Sequence, residues 1–285
     1  MRPLERTRSI WRAIRLLEHV LTGITLSLGI AAVQAAGHNP AWLPPLVSWW
    51  HRRLCAILHL RIEVGGQRED TALLVANHLS WIDIPLIGSL SPTVFLSKAE
   101  VRRWPLIGWL AAVAGTLFIE RGAHQTQRMS QRMAALLEAG QTVMLFPEGT
   151  SSDGTQVGRF YPRLFAAGQH ARALVQPVAI RYGTGPEPHP IAPFVGADTL
   201  LPHLLRVLRC PNIQVQVSFL PALQAARLSR CELAEKSRNA IAEALPVPGS
   251  APGSAVAETP GAAPASVPEQ QGLGEVAPQD LARVL

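Results

Sequence analysis

The stretch Leu73-Leu74-Val75-Ala76-Asn77-His78-Leu79-Ser80-Trp81-Ile82-Asp83 joins a structural signal to a chemical one. Its first four residues are apolar, and a short apolar run of this kind predicts a buried strand. After the strand come an imidazole, His78, and five residues later a carboxylate, Asp83. A histidine oriented by a carboxylate can remove a proton from a hydroxyl near neutral pH. The spacing therefore predicts a catalytic base with its orienting group, provided that the rest of the chain builds a site around them.

Strands and helices alternate through the central part of the chain. Besides 73–76, the sequence predicts strands at 61–64, 94–97, 116–119, 143–146, 175–181 and 213–219. This alternation predicts an α/β domain with a mixed, mostly parallel sheet flanked by helices. Because Pro177 has no backbone N–H, we expect it at a sheet edge or at the start of its strand.

Three polar clusters, at 78–83, 120–121 and 148–154, each follow a predicted strand. Loops beyond the carboxyl ends of parallel strands gather at one edge of a sheet, where ligands bind. We therefore expect the three clusters to converge, which would give the His78–Asp83 pair its site.

Two helices of the central domain can be predicted from their spacing and end signals. The first covers 124–139 and has a stripe of apolar residues at helical spacing, which we expect in the core. The stripe consists of Met129, Met133, Leu136 and Leu137. The second begins at Ser229, where Glu232 completes a capping box, and runs to about Leu245.

The amino-terminal part of the chain has the composition of a membrane anchor. Five arginines precede an uncharged stretch at 20–37, and such a cluster predicts a cytoplasmic amino terminus. A helix of this length reaches about 27 Å, slightly less than a hydrocarbon core of about 30 Å. A cleaved signal peptide and a buried core helix are the alternatives.

The next stretch, 41–54, combines three tryptophans with two arginines, as an interfacial helix would. A core helix with ordinary aromatic residues would have the same composition. If the first segment spans the membrane, the second must return to the cytoplasmic face. Two re-entrant helices that dip into one leaflet would satisfy the same topology.

The composition of the 285-residue chain suits a large core and membrane contact, with 48 % hydrophobic and 16 % charged residues. The net charge of +6 suits an anionic lipid surface, an acidic carrier protein or nucleic acid, and equally a solvated basic surface. Three cysteines without a Cys-x-x-Cys pair argue against a disulfide framework or a zinc site. We expect membrane-anchoring and interfacial helices at 1–60, the α/β domain at 61–245 and a disordered Pro- and Ala-rich tail at 246–285.

Four sequence blocks between Leu73 and Tyr182 together resemble the glycerolipid acyltransferase family, which includes the bacterial 1-acyl-sn-glycerol-3-phosphate acyltransferases. The blocks are Asn77-His78-(x4)-Asp83, Gly115-Thr116-Leu117-Phe118-Ile119-Glu120-Arg121, Phe146-Pro147-Glu148-Gly149-Thr150 and Val175-Gln176-Pro177-Val178. They follow one another in the order of the family's motifs and at plausible separations. One block would mean little, but four in order make a chance match improbable.

The resemblance implies a membrane-bound enzyme of phospholipid synthesis. It would move a fatty acyl group from an acyl carrier protein or coenzyme A thioester to the hydroxyl of a lysophospholipid, converting lysophosphatidic acid to phosphatidic acid. His78 would deprotonate the hydroxyl, and Asp83 would orient the imidazole and stabilise its cation. Beyond the thioester co-substrate, neither a metal nor a cofactor is implied. The expected location is the inner membrane, with the catalytic domain on the cytoplasmic side.

The resemblance also implies a set of substrate-binding residues. Arg121 would hold the acceptor's phosphate through its guanidinium fork, and Lys98 would supply a second phosphate contact. Glu148-Gly149-Thr150 would shape the acceptor pocket. Many members have arginine after this threonine, whereas this chain has Ser151, with Arg159 and Arg163 as the nearest basic residues. A lyso-ornithine lipid, whose headgroup has no phosphate, is therefore an alternative acceptor within the family.

Three other classes of protein compete with this interpretation. A serine hydrolase could combine His78 and Asp83 with Ser151, although the closing glycine of Gly-x-Ser-x-Gly is missing and the histidine precedes the serine. A nucleic-acid-binding module would suit the charge, but the arginines are dispersed and no binding signature is present. The third alternative is a membrane scaffold without catalysis.

Overall fold

The computed structural model describes residues 3–38, 40–120, 123–185 and 187–245. The strands are Leu60–Gly65 (β1), Ala72–Ala76 (β2), Val94–Lys98 (β3), Leu117–Ile119 (β4), Val143–Leu145 (β5), Leu174–Tyr182 (β6), Ile213–Phe219 (β7) and Leu223–Gln224 (β8). The helices are Pro3–Ala35 (α1), Leu43–Ile57 (α2), Asp83–Leu90 (α3), Ala99–Arg102 (α4), Ile107–Val113 (α5), Ala123–Glu138 (α6), Ala166–His170 (α7), Leu200–Arg209 (α8) and Arg230–Ala244 (α9). Every strand predicted from the sequence is present, with ends shifted by about one residue.

The strands form one sheet in the order β1-β7-β6-β2-β5-β3-β4, and β8 pairs with the start of β6. Strands β6, β2, β5, β3 and β4 run parallel to one another, as do β1 and β7. The two groups meet in an antiparallel pair between β6 and β7. The predicted mixed, mostly parallel sheet is confirmed. Because β2, β5, β3 and β4 end at the same edge, the residues that follow them lie side by side.

The central strand β2 is buried along its whole length because helices cover both faces of the sheet. Leu74 packs in one hydrophobic cluster with Leu86 of α3 and Val207 of α8. Its neighbour Leu73 points to the opposite face, where Met133 of α6 lies. A strand that is buried on both faces needs a continuous apolar run, and this run is the signal that predicted it.

Both predicted helices of the domain are confirmed. In α6 the side chains of Met129, Met133 and Leu137 are buried, and Leu136 packs against the same cluster. Helix α9 begins with a capping box in which the Glu232 N–H donates to the Ser229 hydroxyl and the Ser229 N–H donates to the Glu232 carboxylate. The predicted disordered tail at 246–285 lies outside the described residues.

Pro177 lies in the interior of β6, a central strand, so the prediction of an edge or a strand start is wrong. On one side it is paired with Val75 of β2. On the other side β8 pairs with the two residues at 174–175 and β7 pairs with 178–182, and Pro177 falls between them. The position where Pro177 lacks an N–H therefore coincides with the gap between the β8 and β7 pairings. The Pro177 carbonyl accepts a hydrogen bond from the Leu220 N–H at 2.9 Å.

The predicted membrane segment is part of α1, a 33-residue helix that is longer than the apolar run alone indicated. Within it, Thr7–Ala35 is long and apolar enough to cross a membrane by length and composition. One side of α1 exposes large apolar side chains to the surroundings. They are Ile10, Trp11, Ile14, Leu17, Leu21 and Leu28.

The first turns of α1 are attached to the α/β domain by two arginines. Arg12 is buried, and its guanidinium donates hydrogen bonds to three backbone carbonyls at the end of α8. These are the carbonyls of Leu208, Cys210 and Pro211. Arg8 donates to the Arg209 carbonyl at 2.9 Å. The last carbonyls of a helix attract cations. Arg8 and Arg12, two of the five arginines that precede the uncharged stretch, therefore also fix α1 against α8.

Helix α2 packs along α1. Trp50 stacks on His19 with ring centroids 4.2 Å apart, and a Cβ at Gly23 would lie 3.0 Å from the Trp50 indole nitrogen. Trp42 and Trp49 remain exposed. One tryptophan of this stretch therefore packs in a helix pair, and two face outward.

Candidate active site

Strand β2 ends at Asn77, whose side chain prolongs the sheet by one step. The Asn77 amide donates to the Ile180 carbonyl and accepts from the Ile180 N–H, both at 2.8 Å. This exchange follows directly on the last backbone pair between β2 and β6. The main chain can therefore turn away from the sheet and present His78 without leaving β6 unpaired.

His78 and Asp83 are in contact, as their spacing predicted. His78 Nδ1 lies 2.8 Å from Asp83 Oδ2, and the Asp83 side chain is fully buried at the start of α3. The same oxygen accepts backbone N–H groups from Leu79 at 2.8 Å and Ser80 at 3.0 Å. Three donors on one oxygen fix the carboxylate before any ligand binds.

Tyr182, at the end of β6, completes the surroundings of this carboxylate. Its hydroxyl donates to Asp83 Oδ1 at 2.6 Å and is buried. Burial raises the pKa of the Tyr182 hydroxyl well above its usual value, and the Asp83 charge raises it further, so the group stays a donor. Sequence reasoning missed this residue. The available signal was a polar hydroxyl at the end of a strand that otherwise reads as buried.

The hydrogen bond to Asp83 fixes the tautomer of His78. An ionised carboxylate only accepts hydrogen bonds, so Nδ1 carries the proton and Nε2 carries the lone pair. The His78 ring stacks on Phe146 with centroids 4.2 Å apart, and a fifth of its side chain, 20 %, is exposed. No protein group in the described part of the chain bonds Nε2, which is free to accept a proton from a ligand.

Glu148 holds the backbone of this loop. Its Oε1 accepts the His78 N–H at 2.9 Å and its Oε2 accepts the Gly158 N–H at 3.0 Å. Burial raises the pKa of Glu148, and these two hydrogen bonds oppose that shift. A Cβ at residue 158 would lie 2.6 Å from Oε2, which explains the glycine there. The structure thus joins the first and third predicted polar clusters.

The residues after Glu148 form the turn that surrounds His78. Gly149 has a positive φ of 70°, a conformation that favours glycine, and Thr150 is exposed. Ser152 donates its N–H to the His78 carbonyl at 2.8 Å. The Ser151 hydroxyl donates to the Phe194 carbonyl. In the described part of the chain no serine hydroxyl bonds the His78 imidazole, which argues against a serine hydrolase.

A second histidine, His203 of α8, joins the turn that precedes α3 to the loop that contains Ile191 and Pro193. The Trp81 indole N–H donates to His203 Nδ1 at 3.0 Å, so Nε2 carries the proton and faces the Ile191 and Pro193 carbonyls. Burial lowers the pKa of His203, which keeps it neutral. Phe194 in the same loop donates its N–H to the Leu79 carbonyl at 2.8 Å. Sequence reasoning did not identify this network.

Lys98 and Glu120 lie further along the same edge of the sheet. Lys98 is exposed at the end of β3, and Glu120 is exposed directly after β4. Arg121 lies outside the described residues. Glu120, the described residue of the second polar cluster, therefore shares the sheet edge with the other two clusters, but it forms no hydrogen bond to either of them among the described residues.

Comparison with known proteins gives a consistent assignment. The model of a family described as Acyltransferase matches residues 59–181. A lyso-ornithine lipid O-acyltransferase of Pseudomonas aeruginosa is 42 % identical over 246 residues, which are 85 % of this chain and 95 % of the relative. A 1-acyl-sn-glycerol-3-phosphate acyltransferase of Neisseria meningitidis is 32 % identical over 180 residues, covering 61 % and 70 %.

Among solved structures, the chain is similar to the 1-acyl-sn-glycerophosphate acyltransferase PlsC of Thermotoga maritima. The TM-score is 0.53 at 20 % identity, and the match covers 82 % of this chain and 97 % of PlsC. That likeness shows the fold. The four motifs, the matched family model and the relative that aligns along nearly its whole length agree, and the chain belongs to the acyltransferase family.

Proposed function

We propose that the protein transfers a fatty acyl group from a thioester to the hydroxyl of a lysolipid, with His78 as the base. The observation that carries this proposal is the His78–Asp83 pair, in which a buried carboxylate fixes the imidazole and leaves Nε2 free. Nε2 takes the hydroxyl proton as the oxygen attacks the thioester carbonyl. The C–O bond forms, the C–S bond breaks, and the imidazolium returns the proton to the thiolate.

This chemistry needs no covalent acyl-enzyme because a thioester is already activated. Asp83 stabilises the imidazolium that forms transiently, while Tyr182 and the two backbone N–H groups keep the carboxylate in place. The donor would be an acyl carrier protein or a coenzyme A thioester. The net charge of +6 favours encounter with either of these acidic molecules.

For the acceptor, we favour a lyso-ornithine lipid over lysophosphatidic acid. The relative that aligns over 95 % of its length is named for the former, and the named 1-acyl-sn-glycerol-3-phosphate enzyme is less similar. Ser151 occupies the position where the resemblance leads us to expect an arginine, and its hydroxyl bonds Phe194. Arg121 and Lys98 remain our proposed acceptor contacts, and Glu148-Gly149-Thr150 would shape the acceptor pocket, with Glu148 acting through the backbone of His78.

We further propose that residues 1–60 attach the enzyme to the inner membrane and that 61–245 form the catalytic domain on its cytoplasmic side. The long apolar α1, its exposed apolar side chains and the outward-facing tryptophans of α2 support this placement. The Arg8 and Arg12 contacts to the end of α8 would keep the active site at a fixed distance from the bilayer.

An in vitro transfer assay tests the proposal. The detergent-solubilised enzyme would receive lyso-ornithine lipid or lysophosphatidic acid, each with an acyl carrier protein or coenzyme A thioester. We expect turnover of lyso-ornithine lipid that exceeds turnover of lysophosphatidic acid and is lost in His78→Ala. Turnover of neither acceptor would contradict the proposed function, and a preference for lysophosphatidic acid would overturn the choice of acceptor.

A further inference from the structure

A second polar site lies beside the edge strand β4. It is an open cleft of about 280 Å³ between α4, β4 and α6. The lining residues that bear on its chemistry are Arg102, Arg103, Phe118, Glu120, Gln125 and Met129. Among the described residues of this lining, two cations and one anion share a single concave surface.

The sheet brings these charges together. Arg102 and Arg103 follow β3 through the short helix α4, and Glu120 follows β4, which is paired in parallel with β3. The Arg102 guanidinium lies 5.7 Å from the centroid of the Phe118 ring, which holds it over the cleft.

The charged groups of this cleft are available to a ligand. Arg103, Glu120 and Gln125 are exposed, and within the described ranges no hydrogen bond or ion pair occupies their side chains. Both signs of charge in the described lining are therefore open to a molecule that carries both.

The cleft and His78 are within reach of one lipid headgroup. Both lie at the carboxyl-terminal edge of the sheet, and β4 is separated from β2 by β3 and β5. Three strand spacings amount to about 14 Å. An extended chain covers about 1.2 Å per bond, so a hydroxyl about ten bonds from a charge held in the cleft can lie beside His78.

The surroundings of the cleft also suit an amphipathic ligand. Directly after Arg103 the chain exposes Trp104, Leu106 and Ile107. The following helix, α5, lines an almost wholly apolar cavity of about 50 Å³ together with α1 and α2. The segment 104–113 thus joins a charged cleft to apolar surface, the two environments that a lipid headgroup and an acyl chain prefer.

We propose that this cleft binds the headgroup of the lysolipid acceptor and selects one that carries both a carboxylate and an ammonium group. Arg102 and Arg103 bind the carboxylate, for which guanidinium is well shaped, and Glu120 binds the ammonium. A phosphate monoester would also bind the two arginines, but it carries no cation to pair with the negative charge of Glu120. The inference rests on the proposed function and adds the residues that set acceptor selectivity.

The test compares acceptor selectivity in Glu120→Gln, Arg103→Gln and a control, Arg128→Gln, which changes an exposed arginine of α6 outside the cleft lining. For lyso-ornithine lipid we expect KM to rise about tenfold or more in both cleft variants with kcat little changed, as when a hydrogen bond to a charged group is lost. Glu120→Gln should also narrow the preference over lysophosphatidic acid. Glu120→Asp, which keeps the charge, should retain most of the wild-type selectivity.

The outcomes separate this inference from the proposed function. A wild-type enzyme that acylates neither lysolipid overturns the proposed function, and the inference with it. An active wild type whose KM and selectivity are unchanged in Glu120→Gln and Arg103→Gln overturns the inference alone. Equal losses for both acceptors in Glu120→Gln, with a lowered melting temperature, would show a structural role and would also overturn it.

Discussion

The loop after β2 and the cleft beside β4 lie at the same sheet edge, but the protein treats their polar groups differently. In the loop, Asp83 is buried and both of its oxygens have donors, and Glu148 likewise bonds two backbone N–H groups. In the cleft, Glu120 and the arginines are exposed and unpaired among the described residues. Under our proposals, the fixed groups serve the proton transfer and the free groups recognise the headgroup.

Replacing Asp83 by Asn removes the buried negative charge beside His78 and changes the shape of the side chain little. Tyr182 can rotate its hydroxyl to accept from the new amide, so the imidazole keeps its tautomer but loses the anion that stabilises its cation. We expect kcat to fall by about 10²–10⁴-fold. Steady-state kinetics with either acceptor measures this, and a kcat within about tenfold of wild type would show that the charge is dispensable.

Tyr182→Phe removes the hydrogen bond to Asp83 Oδ1, the carboxylate oxygen that His78 does not contact. It removes a buried hydroxyl donor and leaves Asp83 Oδ1 without a partner. We expect about a tenfold loss of kcat and about 1–3 kcal/mol of lost stability. Because the residue acts through Asp83, the pH profile of kcat should move while KM for the acceptor stays constant. A change in KM alone would place Tyr182 in substrate binding instead.

Glu148→Gln tests the second buried carboxylate. A glutamine amide presents one oxygen and one NH₂ group, so either the His78 N–H or the Gly158 N–H would face a donor. We expect about 1–3 kcal/mol of destabilisation and a several-fold loss of kcat. Unchanged melting temperature and activity would show that the backbone of His78 does not depend on this side chain.

The same variant has a defined pH signature. Burial raises the pKa of Glu148 above its ordinary value of 4.5, so its contribution to stability is present below that value and is lost as the pH rises through the raised pKa. Glu148→Gln lacks this titration. The stability difference between wild type and variant should therefore shrink as the pH rises through this window in thermal unfolding scans, and a difference that grows would contradict the raised pKa.

Ser151→Ala should have the smallest effect. Its hydroxyl donates to the Phe194 carbonyl and not to His78, so an acyltransferase needs it little. We expect activity within about threefold of wild type, corresponding to one partly exposed hydrogen bond. Near-total loss would favour the serine hydrolase.

Sequence patterns predicted the sheet and the contact between His78 and Asp83 because both rest on local signals. The strands are apolar runs, and His78 and Asp83 are joined by one turn. Tyr182 escaped prediction because it meets Asp83 across 99 residues through the pairing of β6 with β2, which no local pattern encodes. Pro177 was misplaced for the same reason, since the break between β7 and β8 that accommodates it is a property of the assembled sheet.

The cleft could be predicted only in part. From the sequence we predicted Glu120 directly after a strand and expected it to converge with the other polar clusters. No sequence pattern indicated that Arg102 and Arg103 lie opposite, because their position depends on the order β5-β3-β4. Arg8 and Arg12 show the same limit, since their helix-end acceptors lie about 200 residues away along the chain.

The most direct test compares kcat/KM for lyso-ornithine lipid with kcat/KM for lysophosphatidic acid in wild type, His78→Ala and Glu120→Gln. The ratio of these two values separates the residue proposed to carry out the chemistry from the residue proposed to select the acceptor. We expect His78→Ala to lower both values by about 10²–10⁴-fold and to leave their ratio unchanged. Glu120→Gln should lower the ratio and leave kcat near wild type. A His78→Ala enzyme that keeps wild-type turnover, or a ratio that Glu120→Gln does not change, would contradict the account.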